Sequence, residues 1–219
     1  MPEFDASTIT SNDQYKLMVG AITPRPIALV STTGKNGHNA APFSFFNALG
    51  APPPMLMFSA GDGEAGAKDT VENILETKDF VVHIVSYDIR EQMNVCAVGY
   101  PRGVNEMEKA GFTMAPSRKV KALRILEAPI AMECRLIQRV EVGPRPYHVV
   151  MGEVVYFHFR DGTVNDKFHV DVGAVDPIGR LAGKAGYTRV TDRFEMPRLP
   201  GGEGRQGKQG RQVVKKILL

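Results

Sequence analysis

The feature that most constrains the fold is a pair of short apolar segments, near the start of the chain, separated by a glycine-containing break. Residues 26–33 (PIALVSTT) are rich in branched side chains, GKNG interrupts them, and residues 38–49 (HNAAPFSFFNAL) resume the apolar pattern. Two such runs joined by a short glycine-containing segment indicate a β-hairpin, with Gly34 and Gly37 supplying the backbone freedom of the turn. The first part of the chain is therefore predicted to be paired β-strands.

Further strand-like runs follow the hairpin. Residues 54–60 come after three consecutive prolines, whose rings cannot join a β-ladder, and residues 80–86 are a short apolar run. Two longer runs occupy residues 128–143 and 147–161. The second of these is too densely apolar for clean alternation, which predicts a strand covered on both faces.

Helical patterns are few and short. In residues 70–78 the apolar side chains recur at i, i+3 and i+4, which gives one apolar face. Asp69 and Glu72 have the spacing of a capping box, so this helix is predicted to begin near Thr70. Residues 87–110 contain two more helical pieces. The chain is therefore predicted to be mainly β with peripheral helices, built as a barrel and not as an alternating α/β sheet.

Composition narrows the class of protein. A chain of 219 residues with 43% hydrophobic residues can bury a sizeable core, and its net charge of +3 does not suggest a nucleic-acid-binding protein. The polar, acidic N-terminus lacks the apolar core of a signal peptide, and no apolar run approaches the roughly 20 residues of a membrane span. A cytoplasmic protein without a membrane partner is expected. Cys96 and Cys134 lie in no redox or ligand spacing, so each is expected to be a buried free thiol.

The stretch GDGEAGAKDTVENI offers two possible phosphate sites. Gly61, Gly63 and Gly66 have the spacing G-x-G-x-x-G between a predicted strand and a predicted helix, which resembles a dinucleotide-binding fingerprint. The helix is short, however, and no further βαβ units follow.

The other possible site is the start of the helix itself. Its free N–H groups, with Lys68, Thr70 and the hydroxyl of Ser59, can hold a phosphate without a special loop. A third interpretation is that Asp69 and Thr70 only cap the helix and Lys68 is solvated.

The motifs of the first hairpin carry a family resemblance. The segment T-P-R-P-I, the pattern N-x-A-P-x-S-x-F, the helix start K-D-T-V-E-N-I and the strand F-V-V-H-I-V follow one another in the order and spacing of the flavin reductase-like family. The stretch 179–199 is similar to the usual ending of that family. The resemblance implies a split β-barrel that binds FMN and forms homodimers. The barrel domain is placed at 15–200 on this resemblance, which leaves an N-terminal extension at 1–14. Residues 201–219 show no apolar periodicity and are predicted to be a flexible basic tail.

The same resemblance implies a set of cofactor-binding residues. One group enters the first strand or lies at its far end, namely Thr23, Arg25, Pro26, Ser31 and Thr32. A second group lies along the edge of the isoalloxazine ring, namely Asn39, Ala41, Pro42, Phe43 and Ser44. A third group holds the phosphate end, namely Ser59, Lys68, Asp69 and Thr70. Arg180 and Tyr187, in the pattern R-L-x-G-x-x-x-Y, are further contacts. Arg25 also has the simpler interpretation of an ion pair with an acidic residue.

The implied function is that of an NAD(P)H:FMN oxidoreductase. NADH or NADPH would reduce FMN, and the reduced flavin would pass electrons to oxygen, a partner monooxygenase or another small acceptor. Hydride transfer between these two cofactors needs no catalytic acid or nucleophile from the protein, and no metal is predicted because the histidines show no ligand spacing. Two alternatives remain open, an FMN-binding electron carrier and a flavin-binding sensor without NAD(P)H activity.

Overall fold

The structure is a computed structural model and describes residues 1–63 and 66–199. Strands make up most of the regular structure: β1 Arg25–Pro26, β2 Ala28–Gly34, β3 Gly37–Phe43, β4 Phe46–Gly50, β5 Met55–Gly61, β6 Asp79–Ile84, β7 Met114–Ala115, β8 Arg124–Ile125, β9 Ile130–Val142, β10 Tyr147–Phe159, β11 Ile178–Arg180 and β12 Tyr187–Arg189. The helices are α1 Ser11–Ala21, α2 Asp69–Thr77, α3 Arg90–Val95, α4 Glu106–Lys109 and α5 Val172–Val175. The prediction of a mainly β chain with peripheral helices is confirmed.

One seven-stranded sheet forms the body of the molecule. Its strand order is β3-β2-β6-β9-β10-β5-β4, and every pair in it is antiparallel. The chain passes from β3 directly into β4 through Ser44 and Phe45, and the rings of Phe43 and Phe58 lie 4.8 Å apart. The two ends of the sheet therefore meet, and the sheet curls into a barrel around an apolar interior.

The first hairpin has the predicted turn. β2 and β3 pair from Ala28 with Phe43 down to Gly34 with Gly37, and Gly37 has a φ of 78°. A Cβ atom at Gly34 would lie 2.7 Å from Oδ1 of Asn73, so a larger residue there would force this buried side chain of α2 to shift. The glycines of the turn thus let α2 pack closely over β2.

The long strand β10 alternates more cleanly than its sequence predicted. Val150 and Val154 are buried in the barrel, whereas Val149 and Met151 are only partly covered. The prediction of a strand covered on both faces is therefore wrong for the single chain, because one face of β10 packs on the interior and the other lies on the outer surface. At Gly152 the absent side chain makes room for the ring of Phe80.

The helix α2 begins at Asp69, close to the predicted start, but without a capping box. Lys68 is the N-cap residue and no side chain caps the helix. The carboxylate of Asp69 instead lies 2.7 Å from Nη1 of Arg102, and Glu72 lies 3.0 Å from the same atom. The capping interpretation of Asp69 is wrong because a loop distant in sequence takes both acidic side chains.

The segment before β1 contains one helix, α1, outside the seven-stranded sheet. The predicted extension at 1–14 includes the first turn of α1, and Val19 of that helix is buried. The predicted tail at 201–219 lies outside the described residues.

Cys96 and Cys134 are both buried and unpaired, as predicted. Within residues 1–63 and 66–199, no helix combines the length and the apolar character needed to cross a membrane.

Candidate functional site

A pocket of about 560 Å³ opens beside the first hairpin, and we call it the hairpin pocket. β3 forms one wall, the start of α2 forms a second, and the segment between α3 and α4 forms a third. Its lining includes these predicted residues: Asn39, Ala41, Pro42, Lys68, Asp69 and Thr70. The structure therefore brings part of the predicted ring contacts and most of the predicted phosphate contacts into one concavity of a size typical of ligand sites.

A hydrogen-bonded chain of side chains forms the floor of the hairpin pocket. Oγ1 of Thr70 donates to Oδ1 of Asn39 at 2.7 Å, and Nδ2 of Asn39 donates to both carboxylate oxygens of Glu106 at 3.1 Å. The backbone N–H of Ala40 donates to the same carboxylate at 3.1 Å. All three side chains are buried, so this network fixes the position of Asn39 before any ligand enters.

Glu106 is an unusual residue for such a position. Burial raises the pKa of its carboxyl above the ordinary value, while the hydrogen bonds from Ala40 and Asn39 act in the opposite direction. The neighbouring thiol of Cys96 is affected in turn, since burial and then the charge of Glu106 raise the pKa of Cys96 to about 12. Cys96 is therefore a neutral thiol at physiological pH, and it is not a nucleophile of this pocket.

The cationic groups of the hairpin pocket lie at the start of α2. The ammonium group of Lys68 is exposed and lies 5.5 Å from the ring centroid of Phe43. The first N–H groups of a helix have no partner within the helix, and the helix dipole places positive charge there. Arg102 also lines the pocket and pairs with Asp69, which removes the negative charge that would otherwise repel an anion.

The G-x-G-x-x-G spacing of Gly61, Gly63 and Gly66 is not a dinucleotide-binding fingerprint in this structure. Gly63 and Gly66 exchange two backbone hydrogen bonds of 2.9 and 3.3 Å, and Gly66 has a φ of 91°. The strand before them, β5, pairs antiparallel with β4 and β10, and the described residues contain no parallel strand pair. The dinucleotide interpretation is wrong, because it requires a parallel βαβ unit at this point. Gly63 and Gly66 instead form part of the rim of the hairpin pocket.

Two predicted cofactor-binding residues, Ser31 and Thr32 on β2, make hydrogen bonds within the protein. The hydroxyl of Ser31 donates to the backbone carbonyl of Leu123, and the hydroxyl of Thr32 accepts a 3.1 Å hydrogen bond from Nδ2 of Asn73. Both side chains are fully buried and neither lines the hairpin pocket. Their hydroxyls therefore already have partners within the fold.

Arg25 joins three separate parts of the chain. Its guanidinium donates to the carbonyls of Val19 and Ile22 at the end of α1, and to the carbonyl of Ala182 at 3.2 Å. Its Nε also lies 3.4 Å from the hydroxyl of Ser44. The alternative that Arg25 pairs with an acidic residue is wrong, since all its acceptors in the described chain are neutral. Burial lowers the pKa of its guanidinium from the ordinary value.

The remaining predicted residues occupy four places. Thr23 and Pro26 flank Arg25 and are exposed, and Phe43 packs in the barrel interior. The backbone N–H of Ser59 donates to the carbonyl of Phe45 at 2.8 Å. Arg180 and Tyr187 lie in a separate pocket of about 500 Å³ formed by β11, β12 and α3, which we call the arginine pocket. The two pockets have no lining residue in common.

Sequence reasoning missed one whole wall of the hairpin pocket. Residues 97–100, Arg102 and Glu106 line it, yet the sequence marked them only as a break between two helices and the start of the second. The sequence GYPRGV carries a usable signal, because a proline and two glycines position one arginine in a short loop. Among the described residues no cluster of side chains is suited to hold a metal ion.

A curled antiparallel barrel with an anion-compatible pocket beside its first hairpin defines a β-barrel protein with a ligand-sized site at the edge of the barrel. The chain belongs to the flavin reductase like domain family, whose sequence model matches residues 19–172.

Solved structures of similar fold agree with this assignment. Nitrilotriacetate monooxygenase component B from Bacillus cereus is 33% identical, with a TM-score of 0.86 over 90% of this chain and 98% of that one. The 2-nitrobenzoate 2-nitroreductase of Pseudomonas fluorescens is 35% identical, with a TM-score of 0.83 over 93% and 100%. A split barrel domain protein of Shewanella frigidimarina, 20% identical with a TM-score of 0.78 over 91% and 100%, supports the fold. The chain therefore has the split-barrel fold and oxidoreductases as its structural neighbours.

Proposed function

We propose that the protein binds FMN in the hairpin pocket and catalyses its reduction by NADH or NADPH. The observation that carries this proposal is the convergence of Asn39, Ala41, Pro42 and Lys68 on one pocket at the start of α2. These positions come from two motifs of the family pattern, one on β3 and the other at the start of α2. The reduced flavin would pass electrons to oxygen, a partner oxygenase or a small acceptor.

The start of α2 suits the phosphate of FMN. Lys68 supplies a full positive charge, and the free N–H groups of the first helical turn supply directional donors. The hydroxyl hydrogen of Thr70 is already donated to Asn39, so Thr70 would support the phosphate only as part of the pocket wall. Arg102 keeps the carboxylate of Asp69 neutralised beside the anion.

The exposed edge of β3 suits the rim of the flavin ring. β3 ends the sheet order, and the N–H of Ala40 points away from β2 because it donates to Glu106. In an antiparallel pair the carbonyls of residues 40 and 42 point to that same side, and Pro42 has no N–H. The edge therefore offers acceptors, which match the N3–H donor of flavin. The small side chain of Ala41 allows a ring to approach closely.

The chemistry of hydride transfer would come from the bound flavin itself. The residues of the chain would hold the ring, keep one face open and exclude water from the floor, where Asn39 and Glu106 are already paired. The relatives support an oxidoreductase, since one is a nitroreductase and another a monooxygenase component. The acceptor of this chain belongs to the proposal, and an electron carrier or a flavin-binding sensor would use the same pocket.

A homodimer is part of the same proposal. The outer surfaces of β9 and β10 expose large apolar side chains, notably Ile137 at 51% and Phe157 at 46%. Such a surface is costly to leave in water. The family resemblance implies a homodimer in which the second subunit closes a groove over the flavin ring, and we propose that these apolar side chains contribute to its interface. We also propose that the protein acts in the cytoplasm.

The first test is the visible spectrum of the purified protein, before and after incubation with FMN and desalting. Retained flavin absorbance, followed by bleaching within seconds on anaerobic mixing with NADH or NADPH, is the expected result. Retained flavin without bleaching over minutes would favour the carrier or the sensor. No retention, together with no catalysed oxidation of NADH in the presence of free FMN, would overturn the proposal.

A pair of variants tests the phosphate site. Lys68→Ala should weaken FMN binding about fivefold, because one partly exposed charge contributes roughly 1 kcal/mol. Lys119→Ala, which removes an exposed lysine far from the pocket, is the matched control and should bind FMN like the parent protein. Equal binding by all three proteins would remove Lys68 from the site. The measurement is fluorescence titration of FMN.

A further inference from the structure

The arginine pocket is a second concavity with its own chemistry. β11 and β12 form one side of it, and α3 with the residues before it forms the other. Arg180 on β11 stands directly opposite Tyr187 on β12, and its guanidinium lies 4.6 Å from the centroid of that ring. Both residues belong to the family pattern at the end of the domain, yet neither reaches the hairpin pocket.

The pocket carries an excess of positive charge. Arg90 pairs with Glu91 at 2.9 Å, and Arg189 makes a two-pronged pair with Asp176 at 3.1 and 2.6 Å. Arg180 and Lys184 also line the pocket, and the described part of the chain places no carboxylate within ion-pair distance of either. Two uncompensated cations facing one cavity attract an anion, and a cavity concentrates that field.

The walls of the pocket are flat and aromatic. The ring of Tyr87 has the guanidinium of Arg90 at 4.0 Å and that of Arg189 at 4.4 Å from its centroid. Buried Ile178 and Met93 supply an apolar floor. Planar guanidinium and phenol groups stack on other planar groups, while an apolar floor favours a ring over a sugar or a flexible chain.

We propose that the arginine pocket binds an aromatic ring that carries a carboxylate or a phosphate group. Arg180 and Lys184 would hold the anionic group, and Tyr87 and Tyr187 would contact the ring. Such a molecule could come from two sources, a nicotinamide nucleotide that donates electrons or an aromatic acid that accepts them. The identification of this ligand as the second substrate rests on the proposed flavin function, whereas its binding does not.

The test is isothermal titration of the full-length protein, with and without FMN, using three small probes. The probes are reduced nicotinamide mononucleotide, benzoate and benzamide, which is the uncharged counterpart of benzoate. Each is titrated into the parent protein and into Arg180→Gln, Lys184→Gln and Arg135→Gln. Arg135 is exposed on β9 outside the pocket, so its variant controls for the loss of one positive charge.

The expected result is binding of at least one anionic probe but not of benzamide. Affinity should fall at least tenfold in Arg180→Gln and about threefold in Lys184→Gln, and it should be unchanged in Arg135→Gln. Arg180 also donates to the carbonyl of Gly186, so Lys184→Gln, whose side chain is exposed, tests the pocket if the first variant misfolds. Binding of the nucleotide alone identifies an electron donor site, and binding of benzoate alone identifies an acceptor site.

Two results would overturn the proposal. One is that neither anion binds, or that either binds equally well to the parent and to both pocket variants. The other is that Arg180→Gln abolishes FMN retention, which would assign the arginine pocket to the flavin. If the parent protein retains no FMN but still binds the anionic probes through Arg180, the proposed function fails while this inference stands.

Discussion

The two pockets of this chain differ in how far their charged groups are paired. The hairpin pocket keeps one cation, Lys68, without an ion pair among the described residues, and most of its other polar side chains have partners. In the hairpin pocket the polar groups bind one another: Thr70 donates to Asn39, Asn39 donates to Glu106, and Asp69 pairs with Arg102. In the arginine pocket two guanidiniums are paired, but Arg180 and Lys184 add charge without a carboxylate partner among the described residues. The hydrogen bonds of the hairpin pocket fix its shape before a ligand binds, whereas the unpaired positive charges of the arginine pocket favour the binding of an anion.

Arg25 is the structural link between these two regions, and its loss should have the largest effect. It contacts Ser44 at the end of β3 and the carbonyl of Ala182 beside the arginine pocket. Arg25→Met keeps the apolar stem but leaves one buried carbonyl, that of Val19, and two partly buried carbonyls without this donor, so the free energy of unfolding should fall by about 3 kcal/mol. Urea denaturation measures this. A loss under about 0.5 kcal/mol, the size of an ordinary surface change, would show that the two regions hold together without Arg25.

His83 should make the folded protein less stable at low pH, which limits the pH range in which ligand binding to the two pockets can be measured. His83 is completely buried, its Nδ1 lies 2.9 Å from the carbonyl of Leu29, and its Nε2 accepts from the N–H of Ile125. Burial lowers the pKa of His83 from its ordinary value of 6.5 to about 4. Between pH 6.5 and pH 4, therefore, His83 binds a proton in the unfolded chain but stays neutral in the folded one. Stability should therefore fall as the pH decreases, by about 2 kcal/mol between pH 7 and pH 4.5.

This pH effect can be separated from those of other groups. Chemical denaturation at several pH values should give a steep slope for the parent protein and for His169→Gln, whose side chain is exposed. His83→Gln should have lower stability and a shallower slope. If the three slopes coincide, His83 is not the group responsible.

Glu106 should affect one pocket and not the other. Glu106→Ala leaves Asn39 and the N–H of Ala40 without their acceptor, and the free energy of unfolding should fall by about 1.5 kcal/mol. FMN binding should weaken severalfold, because the floor of the hairpin pocket is no longer held in place. Binding of the anionic probe to the arginine pocket should not change. Equal weakening of both ligands would mean that the pockets are coupled, and the contrast between them would be lost.

Tyr87 should have the smallest effect. It contacts two guanidiniums at the surface, and each such contact contributes about 0.5–1 kcal/mol at exposed sites. Tyr87→Leu should therefore lower stability by about 1 kcal/mol and weaken the anionic probe about threefold, whereas Tyr87→Phe keeps the ring and should retain both. Thermal unfolding and titration measure the two effects. An equal loss in both variants would point to the hydroxyl and not to the ring.

Local pattern predicted the elements of this fold well and the residues of its pockets only in part. The hairpin turn, the helix after Lys68 and the two long strands follow from periodicity and glycine placement, which act over a few residues. Ser31 and Thr32 carry the right chemistry but are covered by Leu123 and Asn73, and no pattern within their own strand reveals that cover. Burial of a strand is decided by elements that pack on it from elsewhere in the chain.

The missing wall of the hairpin pocket illustrates the same limit. Glu106 lies 67 positions after Asn39 in the chain, yet the two side chains are in direct contact. A short acidic helix start such as N-E-M-E-K is common on protein surfaces, and nothing local distinguishes the one carboxylate that turns inward. Pairings of this length are formed by the topology of the barrel, and the sequence reveals them only once that topology is known.

The hydrogen bonds of Arg25 to distant parts of the chain affect how the protein can fold while it is being synthesised. One of its acceptors, Ala182, lies 157 positions further along the chain, while the others belong to residues that leave the ribosome beside it. The first hairpin can pair as soon as it emerges, but the arginine at its entrance gains this last bond only when nearly the whole domain has been translated. A nascent chain that stops before Ala182 therefore carries a first strand whose buried cation lacks one of its partners.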